Sequence, residues 1–111
     1  MKTSFHKIIN LYKPEIYQIC EKYNVIELYF FGSATNEKFR EGQSDIDILV
    51  KLNNENKKNV VRLNIDLGIL FNCPIDIFEE SWINNSEFKS YLNNNKKLFY
   101  RKTSTNIINH C

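Results

Sequence analysis

Three aspartates, a glycine and a serine are the residues of this chain whose types and spacing suit chemistry. Asp45-Ile46-Asp47 opens the run Asp45-Ile46-Asp47-Ile48-Leu49-Val50. As a strand it would put Ile46, Ile48 and Val50 on one face and both carboxylates on the other. Neighbouring like charges raise each other's cost of ionisation unless a cation lies between them or water screens them. The apolar residues downstream argue against full screening, so a divalent metal is indicated. Mg²⁺ suits best, since it is commonly held by one or two carboxylates together with substrate phosphates. Asp76, flanked by Ile75 and Ile77, is costly in an apolar strand unless it is paired or metal-bound. Gly32-Ser33 ends the run Tyr29-Phe30-Phe31. Glycine there lets the backbone approach a ligand, and a helix starting after Ser33 would turn free N–H groups and a hydroxyl towards phosphate.

The elements that must position these residues follow from periodicity. Ser4 is a candidate N-cap for a first helix with Phe5, Ile8, Ile9 and Tyr12 inward. Pro14 starts a second helix carrying Ile16, Ile19, Cys20 and Tyr23 at helical spacing. Asn24 ends it, and residues 25–31 form the first strand. Glu37, Lys38, Arg40 and Glu41 read as a solvated charge cluster around Phe39 in the connection to the second strand. Asn53-Asn54-Glu55-Asn56 is a break. Val60, Leu63, Leu67 and Leu70 mark an amphipathic helix over about 57–72, with Asp66 on its solvent face. Pro74 opens the third strand, and Glu79 and Glu80 at its end are expected to be exposed. Residues 82–100 read as a last helical region with Phe88, Tyr91, Leu92, Leu98 and Phe99 towards the core. His6 has no partner residues nearby and reads as structural.

These residues and their order resemble the minimal nucleotidyltransferases (MNT) of the DNA polymerase β-like superfamily. That signature is Gly-Ser, a spacer of about ten residues, then Asp-x-Asp; here eleven residues separate Ser33 from Asp45. The resemblance implies an α/β (α+β) polymerase β-like nucleotidyltransferase fold, a short mixed β-sheet flanked by helices. It implies a minimal nucleotidyltransferase domain over 1–102 and a C-terminal tail over 103–111. It implies that Asp45 and Asp47 bind two Mg²⁺ ions, that Asp76 completes one metal site and takes part in catalysis, and that Gly32 and Ser33 bind the phosphates of ATP. One departure is visible. Many members carry Ala-Arg-Gly soon after Gly-Ser, whereas this chain has Ala34-Thr35-Asn36; Lys38 or Arg40 would have to replace that arginine.

At 111 residues and a net charge of +2, one ordinary globular domain is expected, with no charge argument for nucleic acid. No apolar run is long enough for a bilayer, and no signal peptide follows Met1. The three cysteines, Cys20, Cys73 and Cys111, lack metal-type spacing and read as reduced thiols in a cytoplasmic protein. After Asp76 there is no room for an acceptor-binding domain, so a partner protein is expected to present the acceptor. The resembled family is typically the antitoxin half of HEPN–MNT toxin–antitoxin pairs and can transfer AMP from ATP to a toxin tyrosine. A HEPN toxin partner and a hetero-oligomer are therefore implied. The toxin's own Arg, four to six residues, His motif is absent: eight residues separate Arg101 from His110. Two alternatives stand beside protein adenylyl transfer. One is a catalytically inactive MNT module that neutralises its toxin by contact alone; the other is a small-molecule nucleotidyltransferase.

Overall fold

A computed structural model describes residues 5–32, 45–53 and 57–103. Ser4, Ser33, residues 34–44, residues 54–56 and the tail beyond 103 lie outside the described residues. The expected Ser4 cap, the Ser33 phosphate contact, Lys38, Phe39, Arg40 and Cys111 therefore fall outside them too.

Helices α1 (Phe5–Leu11) and α2 (Lys13–Lys22) come first, with Pro14 in the opening turn of α2. Asn24 ends α2 in the left-handed region, φ 59°, a conformation Asn tolerates better than most side chains. Strand β1 (Val25–Phe31) follows, then β2 (Ile46–Leu52), α3 (Lys57–Phe71), β3 (Ile75–Glu79), a single 3₁₀ turn (Glu80–Trp82), α4 (Ser86–Asn95) and β4 (Lys97–Arg101). The strands form one mixed sheet in the order β3-β2-β1-β4. β1 is antiparallel to both β2 and β4, whereas β2 and β3 are parallel, with α3 as the crossover between them. The mixed sheet flanked by helices is the architecture expected from the sequence.

Strand alternation divides the side chains into two layers. Leu28, Phe30, Ile46, Ile48 and Val50 pack with α1, α2 and α3 through Ile9, Ile16, Cys20, Leu63, Leu67 and Phe71. Full burial of a side chain such as Leu63 or Leu67 contributes about 1.5–3 kcal/mol. The opposite face is smaller: Tyr29, Phe31 and Leu49 pack with Leu92 of α4, joined by Phe78, Ile83 and Phe88. The chemistry-bearing aspartates belong to this second face.

Three expectations are corrected. Residues 82–100 are not one helix: α4 stops at Asn95 and the chain re-enters the sheet as β4. Tyr91 and Leu98 are seven residues apart, so the helical spacing continued in the sequence although the helix did not. Asn93-Asn94-Asn95 is a weak helix segment, and Leu98-Phe99-Tyr100 suits a strand that pairs with β1. Leu98 and Tyr91 consequently stay 46% and 42% exposed rather than joining the core. Glu79 is not exposed but 1% accessible; it accepts hydrogen bonds from the Leu52 N–H at 2.9 Å and the Ser81 N–H at 2.7 Å. Glu80 is exposed as expected. Asp66 is only half turned to solvent: it accepts from the Tyr23 hydroxyl at 2.6 Å and stands 3.7 Å from Lys22 Nζ.

Candidate active site

The site forms where β1 ends and β2 and β3 begin. In the parallel ladder Asp47 of β2 is the direct partner of Asp76 of β3. Aligned residues of paired strands project to the same face, so the two carboxylates stand side by side. Across the antiparallel ladder Asp47 faces Phe31, the last residue of β1. Asp45 lies one residue before β2, next to Ile46, whose N–H bonds the Pro74 carbonyl at 3.0 Å. That bond extends the β2–β3 pairing to the threshold of the site. Asp45 and Asp76 are exposed and Asp47 is half-buried.

Gly32 terminates β1 with φ +70°, in the region where only glycine is unstrained. A β-carbon at residue 32 would collide with Asp47 Oδ2 and lie 3.3 Å from its Cγ. The glycine is thus required twice, by its own backbone and by the carboxylate beside it.

Burial raises the pKa of Asp47, and the neighbouring charges of Asp76 and Asp45 raise it further, with Asp76 near enough to share a hydrogen bond. Three acids therefore converge electrostatically on one place. Among the described residues, however, no three His, Cys, Asp or Glu side chains are gathered tightly enough to enclose a metal ion as they stand. The two observations are compatible. Mg²⁺ needs only one or two carboxylates when phosphates complete its shell, and the Asp47–Asp76 pair supplies them without a third. All-oxygen donors of this kind fit a hard divalent cation.

Beside the acids lies an aromatic group of which the sequence points out only Phe88 and Tyr91, as core residues. Phe31 contacts Phe78, Phe88 and Tyr91 with ring centroids 5.8, 6.1 and 6.3 Å apart. Phe78 and Phe88 meet edge to face at 5.4 Å. The signal was present in the sequence: Phe31 adjoins Gly32, and Phe78 follows Asp76 by one strand period.

A mixed sheet carrying paired aspartates next to a glycine corner is the arrangement that the sequence resemblance to nucleotidyltransferases leads one to expect. The sequence model described as "Polymerase beta, Nucleotidyltransferase" matches residues 14–105, and the chain belongs to that family. None of the curated proteins compared with the chain matches it significantly in sequence. Among solved structures, one described as a candidate minimal nucleotidyltransferase shares 19% identity at a TM-score of 0.71, over 86% of this chain and 95% of its own. A toxin–antitoxin structure with AMP-PNP shares 15% identity at 0.66, over 86% and 78%. The tri-AMPylated HEPN toxin of Shewanella oneidensis in complex with MNT antitoxin gives 16% at 0.61, over 89% and 77%. Such identities establish a common fold.

Proposed function

We propose that this chain is a Mg²⁺-dependent protein adenylyltransferase that transfers AMP from ATP to a tyrosine of a HEPN-type toxin, and so acts as the antitoxin. The observation that carries the reading is the pairing of Asp47 with Asp76 beside the Gly32 corner. The partner is supported by two structural relatives, one an AMPylated HEPN toxin bound to an MNT antitoxin and the other a toxin–antitoxin structure with AMP-PNP.

Asp45, Asp47 and Asp76 would hold Mg²⁺, which supplies neutralisation of charge on the attacking and leaving oxygens of a phosphoryl displacement. Gly32, with Ser33 after it, would carry the β- and γ-phosphates against the backbone. Asp76, the exposed carboxylate of the pair, would accept the proton of the acceptor hydroxyl. The hydroxyl oxygen forms a bond to the α-phosphorus while the bond to the β-phosphate bridging oxygen breaks. AMP-tyrosine and pyrophosphate result. Fixed geometry and electrostatics would supply most of the acceleration.

The departure after Ser33, Ala34-Thr35-Asn36 where many members carry Ala-Arg-Gly, favours a second reading, in which the chain silences its partner by contact alone. Labelled ATP, Mg²⁺, this chain and a HEPN protein encoded beside it separate the two. Label on a toxin tyrosine, lost with Asp47→Asn, is the expected result. Inhibition of the toxin without any label would select the contact mechanism.

A further inference from the structure

The aromatic group beside the acids has a feature that core packing does not require. Phe88 and Tyr91, one turn apart on α4, have rings parallel to within 10°, with centroids 6.2 Å apart. Tyr91 is 42% exposed while its ring still touches Phe31. Phe31 is in turn the cross-strand partner of Asp47. Cross-strand pairing and a ring contact therefore lead from Asp47 through Phe31 to an exposed aromatic ring. A planar ligand laid parallel to one of the two rings is parallel to the other.

We infer that Tyr91, with Phe88 behind it, is the stacking shelf for the nucleobase of the nucleoside triphosphate. The inference rests on the nucleotidyl-transfer reading of the acids and names the part of the substrate that the acids do not hold. A ribose lies between base and α-phosphate, and Phe31 lies between the shelf and Asp47. Stacking tolerates any base, because each has a π-face; the shelf therefore contributes affinity for nucleosides over bare polyphosphate and little choice among bases. The hydroxyl of Tyr91 is not needed for it.

Calorimetric titration of the full chain with Mg²⁺–ATP and with Mg²⁺–tripolyphosphate, without any acceptor, tests the shelf. Tyr91→Ala should weaken ATP by about tenfold and leave tripolyphosphate unchanged. Tyr91→Phe and Tyr91→Trp should bind ATP within about threefold of the parent, as an aromatic face demands. Equal loss for both ligands would mark a structural role and overturn the inference. So would unchanged ATP binding with a raised KM for the protein acceptor, which would make Tyr91 a dock for the acceptor's ring. If the parent chain bound neither ligand, the transferase reading would fall together with the shelf. If it bound and transferred AMP equally well with Tyr91→Ala, only the shelf would fall.

Discussion

Asp47 Oδ2 occupies the space that a β-carbon on residue 32 would need, so the carboxylate and the Gly32 backbone share one position. The strand end and the central acid cannot be changed separately. Gly32→Ala forces an L-side chain into the left-handed region, at about 1–2 kcal/mol, and also pushes the Asp47 carboxylate aside. Displacement of about 1 Å at a reacting centre can cost on the order of 100-fold in rate. Gly32→Ala should therefore melt only modestly earlier yet lose nucleotide binding and transfer almost entirely. Calorimetry with Mg²⁺–ATP checks it; parent-like binding in a folded Gly32→Ala chain would show that the corner does not serve the site.

The raised pKa of Asp47, caused by burial first and then by Asp76 and Asp45, makes the metal-free protein pH-sensitive in a definite direction. Between the ordinary aspartate value and the raised folded one, the folded state binds more protons than the unfolded. Stability contributed by this group is then full below the unfolded pKa and is lost as pH rises through the folded one. In chelator, melting temperature relative to Asp47→Asn should climb as pH is lowered from neutrality into the acid range. Asp47→Asn should itself be the more stable chain near neutrality. Mg²⁺ with ATP should reverse the order: at a hundredfold over its Kd a ligand adds about 2.7 kcal/mol, and Asp45→Asn with Asp47→Asn should abolish that gain. An identical gain in the doubly substituted chain would place the ligand elsewhere.

The acids were legible in the sequence because strand alternation is local. Asp45-Ile46-Asp47-Ile48 and Ile75-Asp76-Ile77 declare their faces within a few residues, and Gly32 declares a corner. What escaped depends on partners far along the chain. Glu79 looks like a solvated strand end until Leu52, 27 residues away, offers it an N–H. The α4–β4 boundary was hidden because Tyr91, Leu98 and Phe99 keep a helical spacing across it. The same spacing points Tyr91 at the core, yet it is 42% exposed.

Glu79 should prove structural, not catalytic. It pairs with Val50, three positions along the ladder from the Asp47–Asp76 pair, and its carboxylate also accepts the Ser81 hydroxyl. Glu79→Ala leaves the buried Leu52 N–H and the Ser81 donors without their acceptor, at about 2–3 kcal/mol, or a fall of roughly 10 °C or more in melting temperature for a chain of this size. Glu80→Ala, at an exposed position, should stay within about 0.5 kcal/mol of the parent. The increment in melting temperature produced by Mg²⁺–ATP should be the same in Glu79→Ala as in the parent. Loss of that increment would tie the far end of the ladder to the acids.

Cys20 offers a probe of the same coupling between ligand and fold. It is fully buried, and burial, with the nearby Glu21 charge, pushes its thiol up to about 12. At pH 8 only about one thiol in ten thousand would be ionised, and the reactive form is the thiolate. Cys73, half-buried, donates to the Phe71 carbonyl at 3.2 Å and lies nearer the surface. In the native protein an alkylating reagent should label Cys73 readily and Cys20 only through opening of the core formed by α1, α2 and the sheet. The rate at Cys20 then measures that opening. Mg²⁺–ATP, bound on the opposite face of the sheet, should slow it in proportion to the stability gained, and Asp45→Asn with Asp47→Asn should remove the protection. Mass spectrometry of timed samples reads both sites at once; labelling of Cys20 as fast as Cys73 would mean that the core opens locally and does not report on the site.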